Sequence, residues 1–316
     1  MNKNGGMAII MRDREMKLKH KNCVITGAAS GIGRCLALGL AREGMNLFMA
    51  DIEMENLEKV KQEIEKIGVR GFTGRCDIAK YEDFENLARE VYASLGDVDL
   101  LINNAGIAGG GFVESLELKD WKRVLDVNLW GIIYSLKVFL PRMLERGSGY
   151  IVNTGSGAGV VGIPHHIPYI ASKFAVVGIS EALYSELSSR GIKVSVICPT
   201  KIKTNIMDRT DIAIPQDVIT GENQQEFDRK LQEFRKLFEE GYFKGALTPE
   251  QVARKYIRGI KKEKLYIFDA RFVPFAMFLK AVSQRLYKRV LRRQGQKNLK
   301  LIEQALSEAG FDIRTV

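Results

Sequence analysis

Two side chains suited to proton transfer lie four residues apart, Tyr169 and Lys173, in the run Tyr-Ile-Ala-Ser-Lys. If this run is helical, the phenol and the ammonium share one face and are neighbours. A phenol has an ordinary pKa of about 10, so it accepts a proton poorly at neutral pH unless a positive charge stabilises its anion. Ser156 ends an apolar run that predicts a strand, and its hydroxyl could point at the same place. The three residues together predict a proton-transfer site.

A glycine-rich run, Thr-Gly-Ala-Ala-Ser-Gly-Ile-Gly, occupies residues 26–33 between an apolar strand and a helical stretch. Glycines allow a tight turn and a close approach to a ligand, and the helix start offers free N–H groups to phosphate, so a pyrophosphate would lie at Gly31 to Gly33. A second strand ends in Asp51, whose carboxylate could accept hydrogen bonds from both ribose hydroxyls and would repel a 2′-phosphate. The pattern therefore favours NAD over NADP.

The elements that must position these residues alternate along the chain. Seven apolar stretches predict strands, at 22–26, 46–51, 70–75, 98–102, 149–154, 192–198 and 264–268, with helical stretches between them. Such alternation predicts an α/β fold with a doubly wound parallel sheet flanked by helices. We expect three parts: a disordered extension at 1–16, a single catalytic domain at 17–270, and a basic helical C-terminal extension at 271–316. Within the domain, residues 204–248 are expected to form a flap over the substrate, although a solvated structural insertion is equally compatible with the sequence.

Taken together, the motifs resemble those of the short-chain dehydrogenase/reductase family, over about Lys17 to Asp269. The resemblance implies a Rossmann-type fold and transfer of a hydride between NAD(P) and a secondary alcohol or ketone. The implied catalytic residues are Ser156, Tyr169, Lys173 and Asn128, and Asn128 would hold a water in a proton relay. The implied cofactor contacts are Gly27, Ser30, Gly31, Ile32, Gly33, Asp51, Asp77, Ile78, Asn104, Ala105, Gly106, Tyr169, Lys173, Pro199 and Thr204. The chain departs from the family pattern at Thr200, where a glycine usually follows the proline.

The expected substrate contacts are Ser156, Tyr169, His165 and His166. The two histidines fall in a loop that lines the substrate pocket in the family, although an ordinary exposed pair is equally compatible with the sequence. The chain has only three histidines, and its four cysteines lack the spacing of metal ligands, so no metal site is expected. The cysteines read as reduced core residues, which is typical of a cytoplasmic protein.

Positive charge is concentrated near the C-terminus. Residues 251–300 hold fifteen Lys and Arg against two acids, a charge of +13, whereas the whole chain carries +10. Within this segment Phe275, Phe278 and Val282 recur at helical spacing beside basic residues, which predicts a basic amphipathic helix. It could pack on its own domain or on a second subunit, or contact a membrane surface through 271–293. Nucleic acid is disfavoured because no recognition motif accompanies the charge. No stretch approaches the roughly 20 apolar residues of a spanning helix, so the protein is not expected to cross a bilayer.

The favoured function is an NAD(P)-dependent oxidoreductase acting on a secondary alcohol or ketone that is lipophilic, and the length of the flap suggests a bulky substrate. An alternative keeps the fold without turnover: a dinucleotide-binding scaffold or sensor that acts through its basic C-terminal helix. Epimerase or dehydratase chemistry on a nucleotide sugar would usually need a longer substrate domain. The resemblance also implies a homo-oligomer that pairs through helices near Trp121 to Glu145 and Tyr169 to Arg190.

Overall fold

A computed structural model of the protein describes residues 15–206, 212–213 and 224–311. The strands are Asn22–Thr26 (β1), Asn46–Asp51 (β2), Gly71–Arg75 (β3), Leu100–Asn103 (β4), Gly110–Gly111 (β5), Gly149–Thr154 (β6), Ile192–Cys198 (β7), Ile212–Ala213 (β8) and Tyr266–Phe268 (β9). The α-helices are Gly31–Arg42 (α1), Met54–Ile67 (α2), Tyr81–Ser94 (α3), Leu118–Leu125 (α4), Gly131–Arg146 (α5), Ile167–Leu187 (α6), Gln224–Tyr242 (α7), Pro249–Lys261 (α8), Phe272–Val282 (α9) and Gln284–Glu308 (α10).

Seven parallel strands form the main sheet, in the order β3-β2-β1-β4-β6-β7-β9. All seven predicted strands are present, and the predicted doubly wound α/β fold is confirmed. The strand order reverses between β1 and β4, and in such sheets ligands bind in the crevice beyond the carboxyl ends at this point. The motifs that follow β1, β4, β6 and β7 therefore meet at one edge.

Apolar side chains cover both faces of the sheet and fix the position of that edge. On one face, Leu36 and Leu40 of α1 pack with Tyr256 of α8 against the strands. On the other face, Phe84 of α3 and Phe139 of α5 do the same. All five side chains are almost completely buried, and burial of such groups stabilises the fold by about 1.5–3 kcal/mol each.

The expectation that no stretch approaches the length and apolarity of a membrane-spanning helix is wrong. The continuous helical segment Leu118–Arg146 is long and apolar enough to cross a membrane by length and composition alone. In the structure it is part of the catalytic fold, because Phe139 and Met143 contribute to the core beside the sheet. A core helix of this kind passes the same composition test as a membrane span.

The C-terminal segment differs from the single helix predicted by its spacing. The backbone is extended at Ser283, with φ −154° and ψ 95°, so α9 ends there and α10 begins. The Ser283 side chain accepts a hydrogen bond from the N–H of Leu286 at 3.4 Å and caps the new helix. Further along, Ile302 and Leu306 of α10 pack with Phe234 and Phe238 of α7 in a separate apolar cluster.

Two expectations fall partly or wholly outside the described residues. Of the predicted N-terminal extension, the structure describes only 15–16, and there the Met16 N–H donates to the carbonyl of Lys261 at 2.8 Å. Of the predicted flap, residues 207–211 and 214–223 lie outside the description, while its later part contains α7. The roles assigned to both segments stay predictions.

Candidate active site

A cavity of about 580 Å³ opens at the carboxyl edge of the sheet. This volume is within the usual range for small-molecule sites. All fifteen residues predicted to contact the cofactor line it, together with Ser156 and His166. The motifs, which are far apart in the sequence, therefore surround one space.

The glycine-rich turn between β1 and α1 has the backbone geometry that its sequence requires. Gly27 and Gly31 adopt φ values of +68° and +54°, in the left-handed region that favours glycine. At Gly33 an added Cβ would lie 2.0 Å from the Gly27 carbonyl oxygen, so a side chain is excluded there. Asn104 holds the turn from β4, since its Nδ2 donates to the carbonyls of Thr26 and Gly27, each at 3.1 Å. The turn and the helix start fit a dinucleotide pyrophosphate.

At the far side of the turn, Asp51 ends β2 with its carboxylate held in place. Oδ2 accepts a hydrogen bond from the Ala29 N–H at 3.0 Å, and Oδ1 accepts one from the Glu53 N–H at 3.1 Å. Arg34, on the first turn of α1, is engaged by both oxygens of Glu63 at 2.8 Å. The cavity wall at this end therefore presents a fixed negative charge, and the nearby guanidinium is already paired.

Ser156, Tyr169 and Lys173 converge at the other end of the cavity. The Lys173 ammonium lies 5.6 Å from the centre of the Tyr169 ring, and its Nζ donates to the carbonyl of Thr154 at 3.0 Å. The Ser156 hydroxyl donates to the Pro199 carbonyl at 3.4 Å, and its influence on the Tyr169 phenol lowers the pKa of that phenol less than burial raises it. Ser156 Oγ also accepts a hydrogen bond from the Ala158 N–H at 3.0 Å. A substrate oxygen at this point would meet a hydroxyl and a phenol together.

Burial has the largest effect on the pKa values of Tyr169 and Lys173. It raises the pKa of Tyr169, and Ser156 opposes that rise only in part. Burial also lowers the pKa of Lys173 to about 8. The sequence predicted that Lys173 would keep the phenolate accessible near neutral pH. In the structure the loss of water outweighs that influence, because both charged forms are disfavoured away from solvent. A lysine with a pKa of about 8 can itself exchange a proton close to neutral pH.

Asn128 lies in a five-residue π-helical segment, Asp126–Trp130, between α4 and α5. Its side chain is buried and bonds to both main-chain polar groups of Ile107, each at 2.9 Å, while Nδ2 also donates to Ser172 Oγ at 3.1 Å. Ser172 Oγ in turn donates to the Tyr169 carbonyl at 2.7 Å. Asn128 does not line the cavity, but a Cβ on Gly106 would lie 3.0 Å from its Oδ1 and 3.4 Å from Lys173 Nζ. Asn128 Oδ1 and Lys173 Nζ thus both lie close to Gly106, and the relay role stays a prediction.

The side chains of the two consecutive histidines lie in different places. His166 lines the cavity, and burial lowers its pKa to about 4, so it is neutral near pH 7. His165 adopts a left-handed φ of 62° and points elsewhere, with its ring 5.0 Å from that of Phe112. Of the pair, only His166 is placed to meet a ligand in the main cavity.

Several lining residues were missed by the sequence analysis. Tyr242 ends α7 and Phe243 follows it, and Gln294 and Asn298 come from α10, so the C-terminal extension forms part of the wall. No local motif marks these positions, because they approach the site only through tertiary packing.

Thr200, at the position where a glycine was expected, has a partner that was also missed. Its hydroxyl donates to Asp269 Oδ2 at 2.7 Å. The neighbouring Pro199 carbonyl accepts the Gly157 N–H at 2.7 Å, which links this loop to the segment that carries Ser156. The Thr200 hydroxyl therefore holds this loop to the buried Asp269 carboxylate, whereas a glycine would leave the backbone freer.

Comparison with known proteins agrees with this geometry. The family model described as short chain dehydrogenase matches residues 21–213, which is more than half of the chain. The chain belongs to the short-chain dehydrogenase family. It is 36% identical over 248 residues to the putative oxidoreductase SadH of Mycobacterium tuberculosis, covering 77% of this chain and 83% of that protein. It is 37% identical over 192 residues to a cyclohexanol dehydrogenase of Acinetobacter sp., covering 60% and 76%.

A solved structure shows the same architecture. The short-chain dehydrogenase/reductase of Burkholderia phymatum, crystallised in complex with NAD, is similar with a TM-score of 0.72 and 31% identity. The match covers 86% of this chain and 96% of that one. This short-chain dehydrogenase is therefore an oxidoreductase that uses NAD(P), as its sequence predicted. Among the described residues no group of three potential metal ligands is found.

The charges of the catalytic cluster give a testable pH dependence for this short-chain dehydrogenase. If Tyr169 and Lys173 act as the sequence predicts, alcohol oxidation releases a proton to Tyr169, whose pKa burial raises, and onward exchange involves Lys173, whose pKa is about 8. We expect kcat/KM for oxidation to rise from about pH 6 to about pH 9, and kcat/KM for ketone reduction to fall over the same range. Initial rates in both directions across this range measure it. A flat oxidation profile would contradict the assignment.

Proposed function

We propose that the protein is an NAD-linked dehydrogenase that interconverts an apolar secondary alcohol and its ketone. The observation that carries this proposal is the convergence of Ser156, Tyr169 and Lys173 at one end of a cavity whose other end is lined by the glycine turn and Asp51. A nicotinamide cofactor bound along this cavity would accept or supply the hydride. The chain itself then has to orient the substrate oxygen and manage its proton.

The roles of the three side chains follow from their positions. Ser156 donates a hydrogen bond to the substrate oxygen, so that negative charge developing there is stabilised. Tyr169 takes the hydroxyl proton during oxidation and returns it during reduction. Lys173 supplies positive charge beside the phenol and passes the proton on, with Asn128 next to it. The fixed loop of Pro199 and Thr200 supports the segment that positions Ser156.

Direct assay separates this proposal from the alternative of a scaffold that binds a dinucleotide without turnover. Purified protein is incubated with NAD and a panel of secondary alcohols that includes cyclohexanol, and NADH formation is followed by absorbance. We expect turnover of at least one alcohol, and a fall of about a hundredfold in Lys173→Ala. If NAD binds to the wild type but no alcohol or ketone is turned over, the scaffold hypothesis is favoured instead.

The preference for NAD rests on Asp51. A 2′-phosphate placed on the adenine ribose would approach a carboxylate held by two backbone N–H groups, and Arg34 is paired with Glu63. Like charges held close together repel, whereas the same carboxylate can accept the ribose hydroxyls. NADP is therefore the less suitable cofactor.

The variant Asp51→Ala tests this preference. We expect kcat/KM for NAD to fall by about tenfold or more, since the loss of a hydrogen bond to a charged group costs about 1.5–3 kcal/mol. The value for NADP should rise, because the repulsion is removed. Steady-state kinetics with both cofactors measure the ratio, and Asp99→Ala, which removes a carboxylate that bonds to Lys21 rather than lining the cavity, is the control. An unchanged NAD/NADP ratio would count against the role of Asp51.

An apolar substrate suits the lining of the cavity. Beside its polar groups, the cavity is lined by the apolar side chains of Val161, Ile163, Phe243, Phe272 and Val273. The similar protein from Acinetobacter is named for cyclohexanol, a compact apolar secondary alcohol. The proposed small-molecule partner is thus a lipophilic alcohol or ketone. Two further proposed partners are a second copy of the chain in a homo-oligomer and a membrane surface that residues 271–293 contact. The proposed location is the cytoplasm, at the periphery of a membrane.

A further inference from the structure

Helix α9 leaves a row of large apolar side chains in solvent. It docks on the catalytic domain through Val273 and Ala276, which are buried against the strand edge. Its outer side, and the first turn of α10, carry the exposed row: Phe272 (48% exposed), Phe275 (60%), Phe278 (60%), Val282 (59%) and Leu286 (44%). The apolar stripe identified in the sequence is therefore the face that the domain does not cover. A row of this kind on a soluble fold marks an interaction surface.

The surroundings of the exposed row are strongly basic. Between Asp269 and Glu303 the chain has no acidic residue and nine basic ones: Arg271, Lys280, Arg285, Lys288, Arg289, Arg292, Arg293, Lys297 and Lys300. All nine side chains are exposed, and none forms an ion pair within the portion of the chain that the structure describes. Lys280 instead stacks on the Phe174 ring at 4.8 Å. Positive charge that no carboxylate of the fold neutralises is available to an external anion.

The exposed row begins at the mouth of the catalytic cavity. Phe272 lines the cavity and is also half exposed to solvent, so it belongs to both surfaces. On α10, Gln294 and Asn298 line the same cavity, while their neighbours Arg293 and Lys297 are exposed. Whatever covers the row will therefore lie beside the substrate entrance.

We propose that the exposed row and its basic surround dock on an anionic lipid bilayer, from which the apolar substrate enters the cavity past Phe272. The substrate route in this proposal rests on the proposed function, whereas the docking does not. Phenylalanines at a membrane interface bury apolar area among the acyl chains, and lysines and arginines beside them attract anionic headgroups. A substrate dissolved in the bilayer then reaches the site without crossing water.

A second copy of the chain fits this surface less well. In a symmetric dimer the same patch meets itself, so the arginines of α10 would face one another. No acidic residue between Asp269 and Glu303 is present to offset them. An anionic bilayer supplies the opposite charge, which makes it the complementary partner.

Vesicle sedimentation tests the docking with the full chain. We expect wild-type protein to sediment at low salt with phosphatidylcholine vesicles that contain phosphatidylglycerol, and to stay in the supernatant with phosphatidylcholine alone. The double variant Phe275→Ser with Phe278→Ser should bind about tenfold more weakly or worse, because two apolar anchors are lost. Val113→Ser, which removes an apolar side chain that is 62% exposed elsewhere, is the matched control and should bind as wild type.

Charge is tested in the same assay. Arg289→Gln with Arg293→Gln should weaken sedimentation, whereas Lys17→Gln with Lys66→Gln, which removes two exposed cations from other parts of the surface, should not. Wild-type protein that stays in the supernatant with anionic vesicles at low salt overturns the proposal. So does a Phe275/Phe278 variant that binds as well as wild type. If the Phe275/Phe278 variant has half the wild-type mass by light scattering and neither protein binds vesicles, the surface is a subunit interface. If the wild-type protein binds single-stranded DNA but no vesicles, it is a nucleic-acid surface. Both results also overturn the proposal.

A local probe reports which side chains enter the bilayer. Tryptophan placed as Phe275→Trp should shift its emission to the blue and be quenched by brominated lipids on adding anionic vesicles, after subtraction of the signal from Trp121 and Trp130. Val113→Trp should change little. Both vesicle assays are repeated with Tyr169→Phe, which we expect to bind membranes normally. Wild-type protein that docks but turns over no alcohol or ketone would count against the proposed function alone, and wild-type protein that turns over an alcohol but does not dock would count against the docking alone.

Discussion

Replacing Tyr169 with phenylalanine is expected to lower turnover by about a thousandfold or more, because it removes the phenol that we propose takes the substrate proton. The change deletes a single oxygen and keeps the ring, so the packing of α6 and the nearby Lys173 should hardly alter. NAD binding should therefore stay within about twofold of wild type. Stopped-flow or steady-state rates give the first quantity, and isothermal titration with NAD gives the second.

The same substitution elsewhere on α6 supplies the control. Tyr184 lies on this helix with 43% of its surface exposed and does not line the cavity. Tyr184→Phe should keep wild-type rates. If Tyr169→Phe retains near wild-type turnover, the proton is handled by another group and the proposed mechanism is wrong. If it loses NAD binding as well, the variant reports a collapse of the site rather than a chemical step.

The sequence predicted best those features that are fixed by local geometry. The seven strands were placed within two residues of their observed ends, because buried parallel strands are continuous apolar runs bounded by turn residues. The glycine turn was equally readable, since Gly27 and Gly31 need a left-handed backbone and Gly33 has no room for a Cβ. Parallel topology then brings the strand ends together, so the cavity and the part of its lining that the motifs supply could be inferred from motif order.

Features set by long-range packing were not accessible from the sequence. The spacing of Phe275, Phe278 and Val282 suggested one continuous helix, whereas an extended residue, Ser283, divides it. The contribution of Gln294 and Asn298 to the cavity depends on how α10 packs against α7. No nearby motif encodes that contact.

The pKa values in the site were also beyond sequence reasoning, because they depend on solvent exclusion. Spacing alone suggested that Lys173 would lower the pKa of Tyr169. The structure shows burial acting on both groups, which raises the pKa of the phenol and lowers that of the lysine to about 8. Burial thus brings the pKa of Lys173 close to neutral pH, where the side chain can readily bind and release a proton. The spacing identified the residues, and the packing determines how they ionise.

Replacing Gly33 with alanine is expected to have the second large effect, on both folding and cofactor binding. The new Cβ would lie 2.0 Å from the Gly27 carbonyl oxygen and 2.5 Å from Asn104 Nδ2, and both are fixed parts of the turn. The turn must open to make room, and the hydrogen bonds from Asn104 to Thr26 and Gly27 are then lost. We expect the free energy of unfolding to fall by about 3 kcal/mol or more, and NAD to stop stabilising the protein against heat.

Thermal and chemical denaturation with and without NAD measure both effects. Gly295→Ala is the matched control, since this glycine lies inside α10 with no atom within 4 Å of the added Cβ. Alanine in an open helical position should leave stability unchanged or raise it by about 0.5–1 kcal/mol. A Gly33→Ala protein that folds and binds NAD like wild type would show that the turn can yield. The close packing of α1 against β1 and β4 would then not be what forms the pyrophosphate site.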